Sequence, residues 1–336
     1  TIASVAAIGV VLFADSGPVV LMALGAVVVG ITGLVNLTAL FRAKPAGRLF
    51  GVPRLAVAKE IVAGGVPVFA VSVAQFLNKE QIDRLVIAVF IGPAAVVVYE
   101  VAAKLSMLIT QVAGLPTSAL LPVVSGMVAR KDAAGVRDLF LDGGRYVTLL
   151  VAPVVITLAV LAGPFIGVWF GGEMQSSTPI AHLLILTQLF FAPLLVGDPI
   201  LTGSGRIKLW VRWAGVVALT NLGLSIILVR SMGPTGVALA TLVASLVELP
   251  LFARIILREL DIPVREWFGS VWRAYALLPL PALLAVGLAR TALGSSLLGL
   301  LVCVGASLLA YWCVAWWGAL AAEERATVLS RVRRPS

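Results

Sequence analysis

The sequence predicts an all-α fold: a polytopic membrane helix bundle of about ten helices. Three observations point to it. Hydrophobic residues make up 60% of the chain and charged ones 12%, with a mean hydropathy of +1.08. Apolar runs recur at about the 20 residues that a spanning helix needs. Lysine and arginine gather in every second connection between those runs, which is the pattern that orients membrane proteins.

The runs fall at residues 18–41, 62–91, 94–127, 142–169, 178–201, 208–229, 234–257, 271–289 and 296–320, with an incomplete run at 1–13. The chain starts at Thr1 inside that first run, without the basic segment and cleavage signature of a signal peptide. It reads as a fragment whose upstream part is missing. The longest polar connection, residues 42–59, is too short to fold as a unit. Two runs exceed the bilayer: at about 1.5 Å per residue, 62–91 is about 45 Å long and 94–127 about 50 Å. Such helices tilt, kink or protrude, and Pro67, Pro116 and Pro122 supply kink points. Residues 130–142 read as a short amphipathic interfacial helix, with Val136, Leu139 and Phe140 at helical spacing.

The net charge of +9 does not imply nucleic acid, because its distribution is that of loops. Arg42, Lys44, Arg48, Arg54 and Lys59 share one connection, Arg130, Lys131 and Arg137 a second, and Arg206, Lys208 and Arg212 a third. Arg254, Arg258 and Arg265 mark a fourth, and Arg331, Arg333 and Arg334 the tail. Nearly uncharged turns alternate with them, at Gly92-Pro93, Gly171-Gly172-Glu173 and Ser231-Met232-Gly233. The basic connections and the C-terminus are therefore expected in the cytoplasm. Arg230 and Arg290 go against the rule but sit near helix ends, where their heads can snorkel to the interface.

Chemistry concentrates at Lys79-Glu80-Gln81-Ile82-Asp83-Arg84, in the middle of an apolar run. Charge at bilayer depth is costly and faces an interior or a wet cavity. Lys79 with Asp83, and Glu80 with Arg84, stand four apart and face each other on a helix. Ser72, Gln75, Lys79 and Asp83 share one stripe, with Glu80 and Arg84 about 100° round from it. On the next helix Glu100, Lys104 and Gln111 form a stripe, and Tyr99, Ser106 and Thr110 another. Two polar stripes at spanning depth can line a hydrophilic path. The competing reading has the charges neutralising one another and holding two helices together. A further alternative places helices at 61–78 and 85–111, with Lys79–Arg84 as an external loop. Asp198, Asn221 and Glu248 read as helix-end or interface chemistry.

Enzymatic motifs are missing: there is no Walker A sequence, no Gly-x-Ser-x-Gly and no His-Glu-x-x-His. The lone histidine, His182, has no second ligand nearby, so neither a metal nor another cofactor is expected. Cys303 and Cys313 are ten residues apart on one helix, about 15 Å, too far to pair with each other. Binding and movement remain, rather than bond breaking.

The run Ile82-Asp83-Arg84-Leu85-Val86-Ile87, then Phe90-Ile91-Gly92, Tyr99 and Ala102-Ala103-Lys104-Leu105, preceded by Pro67, resembles a family pattern of Asp-Arg, Gly turn and Tyr-x-x-Ala. Leu121-Pro122 with Ser125, Phe165-Ile166 with Phe170-Gly171-Gly172, Ser177 and Leu184, Gly203-Ser204-Gly205-Arg206-Ile207-Lys208, and Gly233-Pro234-Thr235-Gly236-Val237-Ala238 resemble its later motifs in order. The family is that of the polysaccharide (O-antigen type) flippases in the multidrug/oligosaccharidyl-lipid/polysaccharide exporter superfamily, and the likeness covers residues 67–257. It implies two six-helix lobes around a cavity that works by alternating access. Residues 1–41 would be the last two helices of a truncated N-terminal lobe, 42–60 a cytoplasmic linker, 61–257 the C-terminal six-helix lobe, and 258–336 two extra helices with a basic tail. It implies an undecaprenyl-pyrophosphate-linked oligosaccharide as substrate, made for cell-surface polysaccharide such as the O-antigen of lipopolysaccharide, in a bacterial inner membrane. Polysaccharide assembly proteins would be partners. On that reading Lys79, Arg84, Lys104, Gln75 and Glu100 belong to the substrate path, since a pyrophosphate needs cationic partners. Asp83 and Glu80 would be an ion-coupling site or a structural pair. A cation-coupled multidrug antiporter of the same superfamily and a non-transporting scaffold are the alternatives.

Overall fold

The computed structural model describes residues 26–36, 38, 59, 81–206, 208–272, 282–284, 286–287, 296–318 and 324–325. The chain divides into two compact units, Thr1–Pro67 and Val68–Ser336. In the first, the described segment is an apolar helix, α1 (Ala26–Asn36). The second carries everything that follows, and its described residues hold no strand.

Helix α2 (Gln81–Phe90) ends at Gly92, whose φ of 123° is open to glycine alone at little cost. Pro93 then opens α3 (Pro93–Thr117), where its missing N–H costs nothing. This break removes the alternative with a helix at 85–111 and a loop at 79–84, because residues 81–84 are helical and the chain turns at 91–92. The expected single helix over 94–127 is also divided. A turn at Ser118-Ala119 separates α3 from α4 (Leu120–Ala129). Pro122 explains it: it has no N–H for the Ser118 carbonyl and its ring crowds that position. Pro116 stays inside α3.

The amphipathic segment at 130–142 is not a separate helix. It forms the first turns of the 38-residue α5 (Ala133–Phe170). Asp132 caps that helix, its carboxylate accepting from the Gly135 N–H at 2.9 Å. Val136 and Phe140 are buried in the main core and Leu139 packs against it, so protein rather than an interface takes up the apolar face. A short 3₁₀ turn (Gly172–Ser177) leads into α6 (Thr178–Phe191). The expected run to residue 201 breaks at a 3₁₀ turn around Pro193 (Ala192–Leu194) and resumes as α7 (Gly197–Gly203).

Helix α8 (Lys208–Glu259) is two helices joined at Gly233, the one residue there with non-helical backbone (φ 63°, ψ −146°). The sequence placed the same division between 229 and 234. Residues 264–272 form a short helix, α9 (Val264–Trp267), and a π-helical turn (Phe268–Trp272). Most of the expected helix at 271–289 lies outside the described residues. The last long helix, α10 (Leu297–Gly318), matches its apolar run.

One large buried cluster joins α2, α3, α5, α6 and α8, with Ile87, Tyr99, Leu105, Phe140, Ile166 and Ile180 among its most buried members. Two smaller clusters seat α10 on α5, through Tyr311 and Ala315 against Leu149 and Ala152, and through Leu300 and Cys303 against Leu161. Thr157 and Ser307 join the same two helices by a 2.8 Å hydrogen bond between hydroxyls. Five described segments are long and apolar enough to cross a membrane. One of these, Trp213–Glu259, has 47 residues; at about 1.5 Å per residue that is about 70 Å, enough for two crossings.

Candidate functional site

Helix α2 puts Asp83, Val86 and Ile87 on one buried face, at the i, i+3, i+4 spacing of a helix. Leu85 and Val89 occupy the exposed face. Asp83 thus enters the core and does not line an open path, being only 1% exposed. Its Oδ2 accepts from the Tyr99 hydroxyl of α3 at 2.6 Å and from Thr241 Oγ1 of α8 at 2.7 Å. One carboxylate therefore fastens three helices. Lys79, the cation expected beside it, lies outside the described residues, as do Gln75 and Glu80.

Arg84 follows Asp83 by one residue and turns to a different surface, where its Nε donates to Glu100 Oε1 of α3. Glu80 was the expected partner of Arg84; here the acid found on a facing helix is Glu100. The pair is partly exposed, 21% and 31% by side chain. Lys104, one turn beyond Glu100, is exposed. It is the twelfth of the 25 residues of α3, so it sits at mid-length. Gln111 continues the exposed line. Within the Glu100–Lys104–Gln111 stripe, Lys104 and Gln111 are exposed and Glu100 is half-buried. In the other stripe Tyr99 and Ser106 are buried, while Thr110 is exposed. Ser106 is buried, donates to the Leu184 carbonyl at 3.5 Å and accepts from Gln188 Nε2 at 3.1 Å, tying α3 to α6.

Two participants were not among the sequence-derived site residues. Tyr99 was seen as part of a stripe and a motif, and Thr241 was not singled out. The signal for both is general: a carboxylate placed on an apolar helix face needs hydroxyl or N–H donors at its own depth on the helices packed against it. Asn221 and Ser225 form a smaller buried pair on α8, the Ser225 hydroxyl donating to Asn221 Oδ1 at 2.9 Å. His182 Nε2 lies 2.9 Å from the Ala159 carbonyl oxygen, a partner to which it can only donate. Among the described residues no three His, Cys, Asp or Glu side chains converge as a metal site.

Charge also ties the ends of the helices. Arg206 pairs with Glu259, Arg137 with Glu266 at 2.6 Å, and Arg145 with Glu324 at 3.1 Å, where the Tyr146 hydroxyl also donates. Arg230 stacks its guanidinium 5.3 Å over the Phe90 ring.

An all-helical chain with several spanning segments and an exposed cation at the middle of one of them is a multi-pass membrane protein. Its own membership follows from sequence: the chain belongs to the polysaccharide biosynthesis protein family, whose model matches residues 1–179. That match takes in the whole of α2 and α3 and ends before the later motifs at 203–208 and 233–238, so it sits further toward the N-terminus than the motif resemblance. No curated protein sequence matches the chain. Among solved structures, a lipid II flippase, MurJ, in an inward closed conformation has the same fold, with a TM-score of 0.64 at 17% identity. The likeness covers 90% of this chain and 60% of that one, so the chain spans somewhat over half the length of that structure.

Proposed function

We propose that this chain serves as a flippase that moves a lipid-linked oligosaccharide across the membrane for cell-surface polysaccharide synthesis. The finer form of the proposal has an undecaprenyl pyrophosphate carrier, alternating access and a bacterial inner membrane with the C-terminus inside. Residues 1–41 are then part of one lobe, 61–257 the other, and 258–336 an appended helix pair.

The observation that carries it is Lys104. A lysine at the centre of a spanning helix, exposed rather than buried against protein, has a function to explain its cost. An ammonium there can hold a pyrophosphate as a point charge while the lipid tail remains in the bilayer. Arg84 is engaged with Glu100, so it reaches a phosphate only by exchanging partners; that exchange is a natural step as the path opens and closes. Membership of a polysaccharide biosynthesis family and the fold shared with a lipid II flippase support the same reading. Chemistry in this scheme is confined to binding and release, with no bond made or broken.

The test is translocation of a fluorescent lipid-linked oligosaccharide in proteoliposomes by the full-length protein, with drug efflux as the control. Movement of the lipid-linked sugar without drug efflux is expected. Drug efflux alone would establish the antiporter alternative, and neither activity the scaffold.

A further inference from the structure

A second site lies at the far end of α8, where the helix meets α9. A cavity of about 690 Å³ opens there between the last turns of α8 and residues 261–268. The size suits a small-molecule ligand. Arg254 and Arg258 line it, one helical turn apart and both exposed. Neither forms an ion pair among the described residues. The acids that could neutralise them are committed elsewhere, Glu259 to Arg206 and Glu266 to Arg137. Asp261 is the acid in the cavity wall, against two guanidinium groups.

Everything else about the cavity is apolar. Leu249, Pro250 and Leu257 form one side. Val264 and Phe268 form the other, and are 63% and 54% exposed. Trp267 closes it, 4% exposed, and its indole N–H meets no acceptor among the described residues. A free anion would be better held by a polar cage than by such walls. An anion that carries a hydrocarbon tail matches both halves. The position matches too, because Arg254 and Arg258 occupy the last two turns of a spanning segment, where head groups lie.

We propose that this cavity is a binding site for an anionic phospholipid, with the phosphate held between Arg254 and Arg258 and the acyl chains laid along Leu249, Leu257, Val264 and Phe268. The site rests on the end of α8 and residues 261–268, and is independent of whether the protein transports anything.

Native mass spectrometry of the full chain, released from uncharged detergent, tests it with phosphatidylglycerol and phosphatidylcholine of matched chains. Phosphatidylglycerol is expected to stay bound and phosphatidylcholine to be lost. Arg254→Gln/Arg258→Gln should weaken phosphatidylglycerol binding about tenfold or more, since charge-assisted contacts are the strong ones. Arg230→Gln, on the opposite half of α8 beyond Gly233 and not a lining residue, should leave it unchanged. If the double variant does not fold, each single glutamine variant gives an intermediate loss. Equal retention of both lipids by the unaltered protein would overturn the proposal. So would undiminished phosphatidylglycerol binding in the double variant or in both single variants. Inorganic phosphate displacing the lipid at equal concentration would make this a free-anion site and overturn it as well.

Discussion

Asp83 is a carboxylate in protein interior, and its surroundings set what its loss would cost. Two hydroxyls from two other helices end on one of its oxygens. Asp83→Ala removes the oxygen that accepts from the fully buried Tyr99 hydroxyl, a penalty of about 1–3 kcal/mol, whereas Thr241 can fall back on the Val237 carbonyl at 3.2 Å. A clear fall in the melting temperature in detergent is therefore expected. Tyr99→Phe and Thr241→Val should each cost about 1 kcal/mol, and less than additively together, because they share one acceptor. Asp83→Asn keeps an acceptor of the same size and separates two roles. If it lowers stability, the carboxylate is a fastening. If stability is kept while transport loses its dependence on a proton or sodium gradient, the carboxylate binds the coupling ion. Lys104 lies on the other side of this division. Lys104→Ala should leave membrane levels near normal and cut transport about tenfold or more, as expected for a lost charge-assisted contact. Unchanged transport would remove Lys104 from the substrate path. For Arg84, the double variant Arg84→Ala/Glu100→Ala is informative: levels rescued relative to Arg84→Ala alone would make the pair a helix–helix tie.

At the scale of elements, the joints are set by glycine and proline. Gly233 has a φ of 63° between two long helices. With ψ at −146° this is a conformation that is essentially glycine's alone, and an alanine held there costs about 1–3 kcal/mol, so Gly233→Ala should lower the melting temperature without changing helix content by circular dichroism. Gly236 is tighter in a different way: a Cβ there would clash with the Leu228 carbonyl oxygen, and backbone does not yield easily. Gly236→Ala should therefore be the more damaging of the two. These joints show what the sequence can and cannot reveal. Hydropathy finds the apolar runs, so α10 and the division of α8 agree with their expected places. It is blind to breaks inside a run, since Ser118-Ala119 and residues 192–194 are as apolar as their surroundings. Pro122 and Pro193 carried the information, and a proline in a spanning run can equally well remain inside a helix, as Pro116, Pro153 and Pro164 do. The site was legible in the same partial way. Asp83, Arg84, Glu100 and Lys104 stood out because charge is rare in such a chain. Their partners did not, because pairing across helices depends on packing and not on spacing along one helix. Only the contact geometry separates buried Asp83 from outward-facing Lys104.

For the whole molecule, the clustered basic connections make a labelling experiment decisive. In a background with Cys313→Ser, because Cys313 is exposed and Cys303 buried, a cysteine at Gly172 should react with an impermeant maleimide added outside intact cells. One at Ser204 should not. The reverse pattern would invert the entire orientation, and with it the side on which Arg254 and Arg258 lie.

Helix α5 has 38 residues, about 57 Å at about 1.5 Å per residue, against a hydrocarbon layer of about 30 Å. A good part of it must stand clear of the lipid tails, and its charged N-terminal third is the part suited to do so. Arg137 and Arg145 are both on that stretch, holding Glu266 and Glu324 from segments far along the chain. The helix is thus a mast, planted in the bilayer, to which two later parts of the polypeptide are moored by charge. Moorings of this kind answer to electrolyte: at about 1 M salt the screening length falls to about 3 Å. Concentrated salt should therefore loosen the Arg145–Glu324 tie and speed proteolysis at Glu324, while the segment around Glu266 stays seated through buried Ile262, Trp267 and Val271.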